Sequence, residues 1–218
     1  MTLTNSPDAY KQTIETGACF QSVAKRAIED DEPLDTILCR GFVIECHFFE
    51  KLDMAYSLLE HCKFEECDFT RASFYDTQFR NCDFTNCIFS DSYWQRCQWI
   101  DCRFNGANFN HASLKKLTAS NTPMRYANFS KALMEDTMLT GCDCSDAGMT
   151  EIQLRRVTWK KVTLCRADLF KTKLKGMDLS TCDIGGILLS DGSPELRGAI
   201  ISQAQALDIV RRLGVTIA

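Results

Sequence analysis

The sequence predicts an all-β solenoid, a chain wound into a four-sided column. Three observations predict it. First, Phe64, Phe69, Phe74, Phe79, Phe84 and Phe89 recur every five residues, and the step continues through Trp94, Trp99, Phe104, Phe109, Phe129 and Trp159 to Leu189. A helical face recurs every 3.6 residues and a strand face every 2, so neither has this period. Second, the 26 positions of this step from Phe64 to Leu189, and the 26 residues two places before them, are all uncharged, although 25% of the chain is charged. Third, Cys62, Cys82, Cys102, Cys142 and Cys182 are separated by multiples of twenty, and Cys67 and Cys87 repeat that step.

A residue and its second neighbour point to the same side of an extended chain. Two inward residues in five therefore make a short extended face, and the others turn a corner. The spacing of twenty puts four faces in each coil. Large central residues fill the axis, while Cys, Ala, Thr or Val fit the tighter site beside them. Coils at strand spacing rise about 4.8 Å each, so eight or so give a rod of roughly 40 Å. Each coil leaves apolar ends bare, so the terminal ones need caps.

In order along the chain, residues 1–33 form an N-terminal extension. Within it Phe20, Val23, Ala24, Ala27 and Ile28 follow a helical stripe that Pro33 ends, which predicts a helix capping the first coil. The coils occupy 34–201. Leu38, Val43 and Phe48 read as the first centres, with Thr36, Gly41 and Cys46 before them. The phase from Phe64 onward differs by one residue, so a bulge or small projecting loop is expected within 49–62. A second phase change follows Leu189, where Gly192 and Pro194 mark a turn before Leu196 and Ile201 resume the step. The last segment, 202–218, starts with Ser202 as helix N-cap. Ala206, Ile209, Val210 and Leu213 share one helical face, Gly214 fits the C′ position, and Val215 and Ile217 belong to a short strand. This apolar stripe covers the last coil or joins two copies in an isologous dimer.

Thirteen cysteines with no CxxC pair, and only three histidines (His47, His61, His111), read as reduced core residues rather than metal ligands or disulfides. No catalytic constellation, metal set, cofactor motif or Gly-rich phosphate loop is legible, so the chain reads as no enzyme. No apolar run is long enough to span a membrane. The start, "MTLTNSPDAYK", lacks the basic flank and apolar run of a signal peptide, which makes a cytoplasmic location the expectation. Charge divides the rod: residues 29–110 hold 16 acidic and 7 basic residues, and 111–190 hold 8 and 12. Glu50, Asp53, Glu60, Glu65, Glu66, Asp68 and Asp76 are the candidate partner contacts, and such a surface disfavours direct DNA binding.

The units "CDFTN", "CDFTR", "GANFN", "YANFS", "RADLF" and "GMDLS" resemble the A(D/N)LXX repeats of pentapeptide-repeat proteins over roughly residues 34–201. The resemblance implies a right-handed quadrilateral β-helix. "PELRGAIISQAQALDIVRRLGVTIA" is similar to the C-terminal ends of the Qnr and MfpA quinolone-resistance proteins. That similarity implies a homodimer joined through Ala206, Ile209, Val210, Leu213, Val215 and Ile217. It further implies binding to DNA gyrase or topoisomerase IV, partly as a DNA mimic, with protection from quinolones or gyrase-poisoning toxins. The phase slip falls where Qnr proteins carry their smaller loop. Their larger loop is missing here, because the step runs straight through Leu114, Ala119, Met124 and Phe129. The alternative is a structural or scaffolding repeat protein that binds some other protein and no topoisomerase.

Overall fold

Five residues make one face because every corner uses the same backbone device. From Thr36 to Lys171, the residue two places past each centre has φ between +48° and +68°. This left-handed conformation turns the chain after each short extended piece. In this computed structural model, which describes residues 10–212, the chain winds into a right-handed quadrilateral β-helix with a helix at each end.

Rungs stack in register at twenty residues. One face carries an eight-stranded parallel sheet whose strands include Ile37–Arg40, Leu58–Glu60, Gln78–Arg80 and Gln98–Ile100, ending at Thr158–Lys160. The adjoining face carries seven strands, from Leu34–Asp35 to Gln153–Arg155. Single bridges such as Asp83↔Arg103 and Ile88↔Asn108 hold the other two faces, where Val43–Glu45 also pairs with Lys63–Glu65.

Phe64, Phe69, Phe74, Phe79, Phe84, Phe89, Trp94, Trp99, Phe104, Phe109, Phe129 and Trp159 are all buried on the axis. Rings one rung apart lie face to face: Phe64, Phe84 and Phe104 at 5.1 and 5.0 Å, and Phe69, Phe89 and Phe109 at 5.1 and 5.0 Å. Each such side chain contributes about 1.5–3 kcal/mol by leaving water, but only while both neighbouring rungs are present. The smaller site takes Cys, Thr or Ser because it offers a carbonyl to a short donor. Cys82 Sγ donates to Leu59 O at 3.4 Å, Cys97 Sγ to Phe74 O at 3.3 Å and Thr137 Oγ1 to Leu114 O at 3.1 Å. All thirteen cysteines are free thiols. Burial pushes the Cys97 thiol up to about 12 and raises Cys82 well above its ordinary value, so neither is a ready nucleophile.

At the N-terminal end, strand Gln12–Ile14 extends the eight-stranded sheet by pairing with Ile37–Cys39. Helix α1 (Gly17–Asp30) follows, capped by the Thr16 hydroxyl, which accepts from Cys19 N at 3.2 Å. Its Phe20 is fully buried, 5.4, 5.3 and 5.4 Å from the rings of Phe42, Phe49 and Phe64. Helix α2 (Gln203–Arg212) begins with a capping box. Ser202 Oγ accepts from Gln205 N, and Gln205 Oε1 accepts from Ser202 N at 2.7 Å. Gln205 Nε2 also donates to the carbonyls of Leu179 and Cys182 at 2.9 and 2.7 Å, which ties α2 to the last rungs.

The structure corrects the first predicted phase change. The register is unbroken through 49–62, with Leu34, Cys39, Ile44, Phe49, Met54 and Leu59 as centres, and no loop projects there. Val43 and Phe48 point outward, 56% and 73% exposed. Leu38, though buried, precedes the centre Cys39. The second phase change is present. A 3₁₀ turn at Pro194–Leu196 widens the spacing between rungs, from Asp168↔Leu188 to Asp178↔Ile200. The buried Glu195 holds this turn, its Oε1 accepting from Lys171 N at 2.9 Å, Ser190 N at 3.1 Å and the Ser190 hydroxyl.

Candidate partner-binding surfaces

A rod whose inside excludes charge meets other molecules with its walls and ends. The seven predicted acidic contacts are distributed around the column rather than gathered on one wall. Glu60 sits on the eight-stranded face, between Arg40 at 3.0 Å and Arg80 at 3.5 Å. Asp76, at a corner of the seven-stranded face, is held by two bonds of 2.6 Å from Arg96. Glu65 is 2.5 Å from Lys63. Glu50, Asp53, Glu66 and Asp68 have no ion-pair partner among the described residues.

Around one corner the acids do accumulate. Glu45 and Glu65 stand directly opposite on adjacent rungs. Glu66 turns that corner, and Glu50 and Asp68 follow on the next wall. Like charges placed opposite each other across strands are destabilising, and Lys63 beside Glu65 offsets part of that repulsion. Phe48, the outward neighbour of a core position, pairs with Asp68 on the same wall. It lines a cleft of about 370 Å³ with Lys25, Ile28, Glu29, His47, Phe49 and Glu50. Sequence reasoning missed Phe48 as a surface residue because it read it as a centre.

It also missed a set of carboxylate–arginine pairs whose signal was the spacing of twenty. Arg96 pairs with Asp76, Arg156 with Asp136 and Arg166 with Asp146, each one rung apart at a corner. The hydrogen bonds from Arg156 and Arg166 hold the Asp136 and Asp146 carboxyls below the usual carboxylate range. On α2, Ala206, Ile209 and Val210 are half-buried, Ile209 packing on the core, while Leu207 is 45% exposed. Leu213, Gly214, Val215 and Ile217 lie outside the described residues. Among the described residues no group of His, Cys, Asp and Glu could hold a metal, and no helix is long and apolar enough to cross a membrane.

The five-residue corner device repeats through two stretches that match known sequence families. Residues 53–91 match pentapeptide repeats (8 copies), and residues 92–169 match the pentapeptide repeat region. This chain belongs to the pentapeptide-repeat family. Among solved structures, a trypsin-treated variant of QnrB1, described as a plasmid-mediated fluoroquinolone resistance protein, matches at 20% identity with a TM-score of 0.55. The match covers 95% of this chain and 99% of that one. A second trypsin-treated QnrB1 variant matches at 23% identity and a TM-score of 0.54, covering 86% and 90% of the two chains. At these identities the likeness is one of fold. No curated protein sequence matches this chain.

Proposed function

We propose that this pentapeptide-repeat protein binds DNA gyrase or topoisomerase IV, partly as a DNA mimic, and protects it from quinolones or gyrase-poisoning toxins, without catalysing a reaction itself. The observation that carries this reading is the acidic corner of the first rungs. Glu45 and Glu65 lie one rung apart, about 4.8 Å, which compares with one phosphate per 3.4 Å of axis on each DNA strand, and Glu50, Glu66 and Asp68 extend the charge around the corner. A cationic groove built for a duplex would meet complementary charge there, which speeds encounter and sets orientation. Phe48 adds an exposed aromatic anchor with an acidic rim, the composition of an interface hot spot.

The C-terminal similarity to Qnr and MfpA proteins supports a homodimer joined through α2 and the residues beyond it. The plasmid-mediated fluoroquinolone resistance named for QnrB1 supports the choice of target. The test is a gyrase supercoiling assay with ciprofloxacin. Purified protein is expected to restore supercoiling, or to inhibit it at higher dose. Neither effect at micromolar protein would refute the reading.

A further inference from the structure

Outward charge is not shared evenly among the four walls. The seven-stranded wall, its continuation on the next rung and the corners at its two sides carry residues 111–116, 131–136, 151–156 and 171–176, which include eight basic side chains and three acidic ones. The two walls held by single bridges in the same coils, residues 123–130, 143–150, 163–170 and 183–190, include two basic and four acidic ones. All three acids of the first set are already paired. Arg156 holds Glu135 at 2.8 Å and Asp136 at 2.5 Å, and Lys171 lies 3.8 Å from Glu151. Lys115, Lys116, Lys131, Arg155, Lys173 and Lys175 have no carboxylate partner among the described residues.

Stacking at twenty residues gathers these cations. Lys115 and Arg155 share one strand column, with Glu135 between them, and Lys175 stands at the equivalent position one rung further on. Lys173 and Lys175 flank the centre Leu174, and Lys131 stands at the corner that leads onto this wall. All six are exposed except Lys115, which is half-buried, 5.5 Å over the ring of Tyr93. Lys160 and Lys161 extend the charge past the opposite corner. Between the rungs of Leu154 and Leu174 the wall opens into a cleft of about 500 Å³, lined among others by Gln153, Arg155, Lys173 and the paired Glu151 and Lys171.

The chemistry of the wall chooses among polyanions. The exposed large apolar side chains of these coils, Tyr126, Met138, Phe170 and Leu188, all lie on other walls. A protein interface centres on an apolar or aromatic anchor, whereas a phosphate backbone needs only donors and positive charge. A single strand is held by aromatic platforms for its bases, but Tyr93 is half-buried beneath Lys115. The outermost cations are three rung steps apart, about 14 Å along the axis, which faces about four phosphates of one duplex strand at 3.4 Å each. The acids that disfavour DNA belong to the first rungs. Lys173 stands more than five rungs, about 25 Å, from Glu66, well past the screening length of about 8 Å at physiological ionic strength.

We propose that this cationic wall binds the phosphate backbone of duplex DNA without reading its sequence. Lys115, Lys116, Lys131, Arg155, Lys173 and Lys175 supply the charge, and the cleft beside Arg155 and Lys173 seats a phosphate. Affinity then comes from the counterions that the duplex releases, so it depends steeply on salt. The site lies toward the opposite end of the rod from the acidic corner and does not depend on the topoisomerase reading.

The probe is a fluorescein-labelled duplex of about twenty base pairs, read by fluorescence anisotropy against the full chain, with no topoisomerase present, between about 50 and 200 mM salt. Saturable binding is expected, with a slope of log affinity against log salt of about −3.6, the value for four phosphates. Lys173→Glu with Lys175→Glu should weaken binding at least about tenfold and flatten that slope by about 2. The same reversal at Lys51 and Arg71, exposed corners of the first rungs, should leave binding within about twofold of the parent. Acetylation of the unmodified protein by an amine-reactive ester gives a readout that needs no variant: DNA should slow it at Lys115, Lys116, Lys131, Lys173 and Lys175 and leave Lys25 and Lys51 unchanged. Four results would each overturn the proposal: no saturable binding at the lowest salt, unchanged acetylation on the wall, tighter binding of the single strand, or equal displacement of the duplex by an oligoglutamate of the same charge. The last would make the wall a docking surface for acidic protein instead.

Discussion

Phe48 and Phe49 are chemically identical neighbours with opposite fates, and the difference is one step of register. Phe49 stacks on Phe69 at 5.1 Å inside the column, while Phe48 faces outward. Replacing a ring of the continuous stack, as in Phe89→Ala, is expected to cost about 3–5 kcal/mol in chemical denaturation. Phe48→Ala should stay within about 0.5 kcal/mol of the parent while weakening topoisomerase protection in the supercoiling assay. From Phe64 onward the sequence alone showed which residues face in, because no charge falls on any centre or on the residue two places before it, while charges recur at the other positions. Before that, Leu38–Cys39, Val43–Ile44 and Phe48–Phe49 offer two apolar residues at each step, and either phase excludes charge. The mark that separates them is Gly41, whose φ of +66° places a corner there and so makes Cys39 the centre. The corners carry a residue-scale consequence of their own. Lys131 adopts φ +58° without an ion-pair partner among the described residues. Lys131→Gly removes the clash of a Cβ in this conformation and adds unfolded-state entropy. The expected net is a gain of up to about 1 kcal/mol in the same denaturation experiment.

At the scale of elements, each end of the column depends on one side chain that reaches beyond its own segment. Phe20 fills the first rung from α1, so Phe20→Ala should speed amide exchange near Cys39 and Ile44 while leaving Trp94 and Trp99 protected, as expected when each repeat contacts only its neighbours. Glu195 plays the matching part in the turn before α2. Burial would raise its carboxyl, but hydrogen bonds from Ser190 and Lys171 outweigh that and hold it below the usual range. The ionised form therefore stabilises the turn above the unfolded value of about 4.3, and this stabilisation is lost as pH falls through the lower folded value. Exchange of residues 190–198 should rise over that acidic window in the parent, and the rise should be absent in Glu195→Gln. The Ser202 cap was legible because an N-cap uses short-range chemistry, while the Thr16 cap and the Gln205 half of the capping box emerged only from the structure. The end of both sheets at Gln153–Arg155 and Thr158–Lys160 was not legible, because the five-residue step runs past it with no charge or polarity signature.

For the molecule as a whole, the proposed dimer would place acidic rungs at its two far ends and basic ones near its centre. Leu213→Asp is expected to yield monomers on size exclusion, because a buried charge is costly; unchanged elution would leave α2 as a cap alone. The candidate site was only partly legible at this scale. The sequence supplied the acidic bias of 29–110, but how the acids sort onto walls, and which are neutralised by Arg40, Arg80 or Arg96, depends on stacking across twenty residues. That same interval makes the protein divisible. Excising residues 91–110 would remove one slice, and Phe89 would meet Phe129 much as it meets Phe109 now. Every later wall would keep its compass bearing, about 4.8 Å closer to the first. Excising only five residues would instead swing everything downstream by a quarter turn, leaving one surface aimed away from whatever the other had grasped.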